Sequence, residues 1–302
     1  HGYPPLPGIA VNQRVGLEKL PSLPRQLQAE GFRNLFVYGG WPEFSRFSSY
    51  WKRIGYNKIV TREDFAEDLF QTSWGVADEN LFDKLLLEMD AETAQGGNVF
   101  ISTLTVSNHR PFDVPAGRIP YPNDRKLEYA IAYADWALGD FFNRAKKKPW
   151  YAETLFVITA DHGPRIYGNA TIPVESYRVP VIFLAQGLGT QTHSSLGSVM
   201  DIPSTILKLL NVENSEGFIG GDLLAENHGR ALVEHDYHIG VISQNNEQKT
   251  LTLVPPGATA ETWLLRDSMV DKVIATDSED LTAAVGVFQS AHEAFYAKSG
   301  EL

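Results

Sequence analysis

The amino-acid sequence predicts an α/β protein with a mostly parallel central sheet flanked by helices, followed by a small C-terminal antiparallel sheet and a terminal helix. Three observations carry this expectation. Strand-like apolar runs alternate with segments of helical periodicity up to about residue 228. Thr154 to Asp161 is an apolar and β-branched run without alternation, the pattern of a strand buried on both faces in a parallel sheet. Beyond residue 228 the pattern changes to short strands separated by turn residues, which reads as an antiparallel meander. The expected division is 1–228 for the α/β core and 229–302 for the C-terminal strands and helix, packed on the core.

The elements follow in order. Ser22 to Glu30 reads as a helix, with Ser22 as N-cap, Pro24 in the first turn and Gly31 as the stop. Asn34 to Tyr38 is a strand ending at Gly39-Gly40. Glu43 to Ile54 is a helix closed by Gly55. Asp78 to Gln95 is an amphipathic helix with Leu81, Phe82, Leu85, Leu86 and Met89 on one stripe. Asn98 to Thr105 is another strand. Leu127, Ala130, Ile131, Ala134, Leu138 and Phe141 fall at helical spacing, and Lys146 to Lys148 suit that helix's negative end. The run into Asp161 comes next, then Val179 to Leu184, which Pro180 places at a sheet edge or at its own start. Asp201 to Leu210 is a short helix. Ala231–Val233, Ile239–Ser243 and Thr250–Val254 are the meander strands, and Thr282 to Ala297 is the closing helix.

Composition sets outer bounds. The chain has 302 residues, 43% of them hydrophobic, enough for one large domain or a domain with a small appendage. A net charge of -11 argues against nucleic acid as a partner, because sequence-independent binding needs a basic surface. It leaves anionic substrates open, since a metal and a few cationic side chains override the global field locally. The absence of cysteine removes disulfides, thiolate metal sites and cysteine nucleophiles together. No run of about 18 apolar residues is present. His1-Gly-Tyr-Pro-Pro-Leu-Pro reads as the middle of a longer precursor.

The candidate site residues stand where strands end, because ligands of open α/β sheets sit at the carboxyl ends of the strands. Asp161 and His162 are an oxygen and nitrogen pair suited to Mn2+, Zn2+ or Mg2+, with Gly163 letting the backbone turn away. The competing reading makes Asp161 a helix cap and His162 a surface histidine. His109 and Arg110 follow a polar turn, where an imidazole can act on a leaving oxygen and a guanidinium can hold a phosphate. The alternative is a solvated loop. Gly39-Gly40 permits close backbone approach to a ligand, or is a tight turn and nothing more. Arg178 faces either an anion or bulk water. His193, His228, His235, His238 and His292 read as structural or exposed. His235-Asp236-Tyr237-His238 has metal-like residue types but lies in the meander, away from the other strand ends.

The order of segments resembles the extracytoplasmic domain of the lipoteichoic acid synthase and phosphoglycerol transferase family, within the sulfatase and alkaline phosphatase superfamily. The residues that carry the resemblance are Leu20-Pro-Ser-Leu-Pro with Gly31-Phe32, Val37-Tyr-Gly-Gly40, Trp74-Gly-Val-Ala-Asp78-Glu79-Asn-Leu-Phe82-Asp83 and Thr103-Leu-Thr-Val-Ser-Asn-His109-Arg-Pro-Phe112. Tyr133-Ala-Asp135, Thr159-Ala-Asp161-His162-Gly163, Tyr177-Arg-Val-Pro-Val181 and Met200-Asp-Ile-Pro-Ser-Thr-Ile206 complete it. The resemblance implies that Asp161 and His162 are ligands of one divalent metal, Mn2+ foremost with Mg2+ or Zn2+ as alternatives. It implies that His109 contacts the glycerophosphate group, while Arg46, Arg110 and Arg178 are candidate anion contacts by their position in the sequence. The implied partners are a phospholipid headgroup donor and a glycan or polyol acceptor. The implied location is extracytoplasmic, at the periplasmic face of the inner membrane or the cell exterior, on a membrane-anchored parent.

Two departures accompany the resemblance. The family's threonine or serine nucleophile and an acidic metal ligand precede the leucine-proline stretch, so both are expected to be absent from this polypeptide and supplied by a further segment or a separate chain. The family often carries an acid just after the double glycine, where this chain has Trp41. The expectation is therefore a phosphoglycerol transferase, inactive as this fragment. The alternatives are a non-catalytic domain that binds an anionic glycan or lipid headgroup, and a hydrolase of sulfatase or phosphodiesterase type.

Overall fold

The computed structural model describes residues 1–4, 10–42, 47–122, 124–164, 171–194, 196–225, 229–245, 248–255, 259–266, 269–274 and 278–299. The chain forms two compact units, one of Pro24–Thr154 and one of His1–Leu23 with Leu155–Leu302. The soft boundary expected near residue 228 falls inside the second of these.

The first unit carries α1 (Leu23–Ala29), β1 (Arg33–Tyr38), α2 (Phe47–Arg53), β2 (Lys58–Val60), the short pair β3 (Gln71–Thr72) and β4 (Gly75–Val76), α3 (Asp78–Thr93), β5 (Val99–Leu104) and α4 (Leu127–Ala145). Its sheet runs β2-β1-β5 and is parallel throughout, with Phe36 opposite Ile59 and Leu35 opposite Ile101. The central strand β1 is covered on both faces. Phe36 and Tyr38 meet Trp51 of α2, at ring distances of 3.9 and 5.4 Å. Leu35 and Val37 point the other way and are fully buried. A strand between two helical layers favours apolar side chains on both faces, which is why Leu35 to Tyr38 show no alternation.

Helix α3 buries the stripe read from sequence, Leu81, Phe82, Leu85 and Leu86. Helix α4 does so with a rotated stripe: Ala130, Tyr133, Ala137, Phe141 and Ala145 are buried, while Leu127 and Ile131 are exposed. Small residues let α4 lie close to α3, where Phe82 meets Phe141 at 5.1 Å. Lys148 pairs with Asp90 at 2.5 Å rather than with helix carbonyls, and Trp150 Nε1 donates to the same carboxylate at 2.9 Å.

The second unit carries β6 (Phe156–Thr159), β7 (Val181–Leu184), α5 (Ile202–Leu209), the strands β8 (Arg230–His235), β9 (His238–Asn245), β10 (Gln248–Val254), β11 (Glu261–Arg266) and β12 (Met269–Ile274), and α6 (Ser278–Ser299). Here the sequence expectation for the run into Asp161 is corrected. β6 pairs antiparallel with β7, and its residues are half-buried or exposed. An unbroken apolar run fits either strand direction, so it cannot separate the two. Pro180 does stand immediately before β7, where its missing N–H costs no ladder bond.

The C-terminal sheet has five antiparallel strands in the order β12-β11-β10-β9-β8, two more than expected. A register shift between Leu264 and Leu265 breaks the period of two in β11, which hides it from an alternation reading. One face packs Val233, Ile242, Leu251, Leu253 and Leu265 against Ile172 and Val174. The other face packs Val241 against Phe288 of α6, with Leu232 and Ile239 beside them. Among the described residues, no helix is long and apolar enough to cross a membrane.

Phe288→Ala removes the side chain that seats α6 and should cost about 3–5 kcal/mol in urea unfolding. Ile131→Ser, on an exposed face of α4, should change stability by no more than about 0.5 kcal/mol.

Candidate functional site

In the first unit, the site is built where β1 and β5 end. The double glycine after β1 is a packing device. A Cβ on Gly40 would lie 2.6 Å from the Trp74 carbonyl, one on Gly39 would lie 2.6 Å from Val76 Cγ2, and one on Gly75 would lie 2.3 Å from the Gly39 carbonyl. Val76 N donates to Gly39 O at 3.0 Å. The close approach that glycine permits is therefore to the segment 74–76, and Gly75 also adopts φ +146, open to few other residues. Beyond Gly40, Trp41 is exposed, with the buried Arg62 guanidinium 5.9 Å from its ring centre.

This packing places Trp74 against the turn after β5. The indole stacks on the His109 imidazole at 4.0 Å and 15°, and its Nε1 donates to Arg110 O at 2.7 Å. From the other side, the Asp78 carboxylate at the start of α3 accepts the N–H groups of Val106 and Ser107, each at 3.1 Å on Oδ1. Asp78 N donates in turn to Ser107 Oγ at 3.2 Å. Burial pushes the Asp78 carboxyl above its ordinary range, and the bonds from Ser107 and Val106 offset only part of that. His109 and Arg110 are exposed at the end of this braced turn, with the Arg110 guanidinium 5.8 Å from the Phe112 ring centre. Trp74 and Asp78 join the site through contacts that their residue types do not announce, and their place in the Trp74-to-Asp83 motif is the only sequence signal for them.

In the second unit, β6 delivers Asp161, His162 and Gly163. His162 N donates to Asp161 Oδ1 at 3.0 Å, and His162 Nδ1 lies 2.7 Å from Gly163 O. A ring whose Nδ1–H is held by a carbonyl presents its Nε2 lone pair. That Nε2 stands 3.6 Å from Asp161 Oδ2, and the two side chains are 52% and 64% exposed. Two donors bound at about 2.1 Å to one tetrahedral ion stand roughly 3.4 Å apart, so the pair suits a shared cation. Among the described residues, no group of three or more such side chains is gathered. Gly163 is needed for proximity: a Cβ there would lie 2.9 to 3.0 Å from the carbonyls of Glu175, Ser176 and Arg178. That differs from the sharp turn expected of it. Arg178 is thus tied by its backbone to the Asp161–His162 turn, and its side chain is exposed.

The remaining candidates divide as follows. Arg46 and His228 lie outside the described residues. His193 is exposed, and His292 is exposed with its ring 4.4 Å from that of Tyr296. His238 turns Nδ1 to the carbonyls of His235 and Asp236, at 3.2 and 3.0 Å. His235 is not remote from the strand ends, since its Nδ1 lies 2.8 Å from the hydroxyl of Tyr177, the neighbour of Arg178.

The first unit is a parallel sheet between helices, and the second carries an acid and an imidazole just after β6. The chain belongs to the sulfatase family, whose sequence model matches residues 3–212. It is 24% identical over 241 residues to phosphoglycerol transferase I of Salmonella choleraesuis strain SC-B67, covering 76% of this chain and 30% of that protein. The match therefore spans about a third of the length of that relative. A protein of the alkaline phosphatase superfamily from Vibrio parahaemolyticus superposes with a TM-score of 0.89 at 27% identity, over 99% of this chain and 74% of that one. A lipoteichoic acid synthase from Listeria monocytogenes shares the fold, with a TM-score of 0.75 at 19% identity over 98% and 76% of the two chains.

Asp78→Ala leaves two N–H groups without their acceptor and should cost about 1–3 kcal/mol in chemical denaturation. Asp78→Asn keeps an acceptor and should cost less. Because the folded-state carboxyl titrates above its unfolded value, the stability of its neutral form is present at low pH and lost as pH rises through the folded value. The deficit of Asp78→Asn relative to the parent chain should therefore shrink as pH is raised above the ordinary carboxylate value of about 4.

Proposed function

We propose that this chain is the catalytic part of a metal-dependent phosphoglycerol transferase of the lipoteichoic acid synthase type. Its donor is a phosphatidylglycerol-like lipid and its acceptor a hydroxyl of a glycan or polyol. The observation that carries the reading is the Asp161–His162 pair, with its imidazole tautomer set by the Gly163 carbonyl and its two donor atoms 3.6 Å apart. The pair would hold one divalent cation, Mn2+ foremost. When bound, that cation neutralises charge on phosphoryl oxygens and lowers the pKa of a hydroxyl nucleophile.

The chemistry is two displacements at phosphorus. A threonine or serine oxygen attacks the phosphodiester and diacylglycerol leaves with a proton. An acceptor hydroxyl then displaces the protein oxygen and gives up its own proton. His109 hydrogen-bonds a phosphoryl oxygen or protonates the departing one. Arg110 and Arg178 pair with phosphoryl oxygens, and Arg46 is assigned the same task. The nucleophile and the remaining metal ligands are not among the residues that these motifs single out. The reading places the protein outside the cytoplasm on a membrane-anchored parent.

Mn2+ titration followed by electron paramagnetic resonance should show weak binding by the chain, weakened about tenfold or more by Asp161→Ala or His162→Ala. With Mn2+ and a fluorescent phosphatidylglycerol, the chain alone should release no diacylglycerol. Substantial release would place the nucleophile among these residues and overturn that part of the reading.

A further inference from the structure

The hairpin joining β8 to β9 is closed by His235 opposite His238, with Asp236 and Tyr237 as its two turn residues. Both have positive φ, 48 and 66. Two-residue hairpins favour such turns, and Asn-Gly or Asp-Gly forms them at least cost. Asp236 follows that preference. Tyr237 opposes it, since a bulky side chain in the left-handed region is strained. Strain of this kind persists where the surroundings over-determine the backbone, and it gathers at functional sites.

The surroundings do over-determine this turn. Tyr237 N donates to Glu234 Oε1 at 3.1 Å, and the Tyr177 hydroxyl donates to Glu234 O at 2.8 Å while lying 2.8 Å from His235 Nδ1. Yet the fold gains little burial from the ring that causes the strain, for Tyr237 is 63% exposed. Packing supplies no reason for a tyrosine here. The tether to Tyr177 also gives the hairpin a defined address, next to Arg178, whose carbonyl faces Gly163 of the Asp161–His162 turn.

We propose that this hairpin tip is a binding contact for the acceptor, a neutral sugar ring that stacks on Tyr237 while its hydroxyls bond the Asp236 carboxylate. An aromatic face offers apolar area for the C–H side of a sugar at small entropic cost, and an exposed carboxylate accepts hydroxyl protons. The Asp236 carboxylate is 87% exposed, and Glu234 adds a second acid in the same turn. Two acids beside the ring disfavour an anionic bilayer and leave a neutral polyhydroxylated ligand as the better match. The assignment of this ligand as acceptor rests on the phosphoglycerol transferase reading.

The test uses the whole chain with maltotriose, cellotriose and glycerol as probes, read by saturation-transfer NMR, alongside melting temperature. Tyr237→Gly and Tyr237→Asn relieve the turn and should raise the melting temperature by about 2 °C. Both should abolish transfer to the trisaccharide that the parent chain binds, while Asp236→Asn weakens it. Glycerol, which lacks a ring to stack, should show no dependence on Tyr237. A parent chain that binds neither trisaccharide overturns the proposal, as do variants that bind undiminished or melt lower. Loss of phosphatidylglycerol-vesicle association in the Tyr237 variants, with sugar binding intact, would identify a membrane contact instead and equally overturn it. Mn2+ binding, measured on the same variants, should be unchanged. Its absence from the parent chain would sink the transferase reading and leave the sugar result standing on its own.

Discussion

A buried carboxylate has to find donors, and Asp78 finds them on a different element. By accepting the N–H groups of Val106 and Ser107, it fastens the start of α3 to the exit of β5. The three parallel strands supply the direction of that exit, and α3 and α4 supply the wall behind it. Without the bond, His109 would sit on a loop of ordinary freedom. With it, and with Trp74 laid flat against the imidazole, the turn is braced from two sides. The turn that carries His109 and Arg110 rests on this carboxylate and on the Trp74 ring together.

The second unit obeys another constraint. Its five-stranded sheet is covered on both faces, by Ile172 and Val174 on one and by α6 on the other. Segments far apart in sequence are thereby held to one core. Val174 belongs to the 3-10 helix Val174–Tyr177, whose last residue reaches the β8–β9 hairpin and whose carbonyls receive Gly163. The C-terminal sheet is thus coupled to the Asp161–His162 turn through a few hydrogen bonds and one glycine.

Much of this was legible in the chain itself. The positions of α3 and α4 follow from helical periodicity and those of β1 and β5 from short apolar runs, and Asp161, His162 and His109 are placed by the apolar runs that precede them. Three things were not legible, each for a physical reason. The direction of β6 was hidden because an apolar run carries no sign of strand polarity. β11 was hidden because a bulge breaks its alternation. The buried stripe of α4 is rotated from the one its spacing suggests, because Leu127 and Ile131 outweigh alanine on any hydrophobic scale, whereas close helix packing favours alanine. The roles of Trp74 and Asp78 arise from contacts across 35 and 28 residues of chain, between Trp74 and His109 and between Asp78 and Val106, which no local pattern reveals.

Gly163 sits against three backbone oxygens that belong to a neighbouring turn. Any added methyl group must push that turn away, and Arg178 goes with it. The acid–imidazole turn and the Arg178 backbone therefore form a single mechanical piece. A side chain at position 163 would therefore displace the Arg178 backbone from the pair, whatever groups the pair carries.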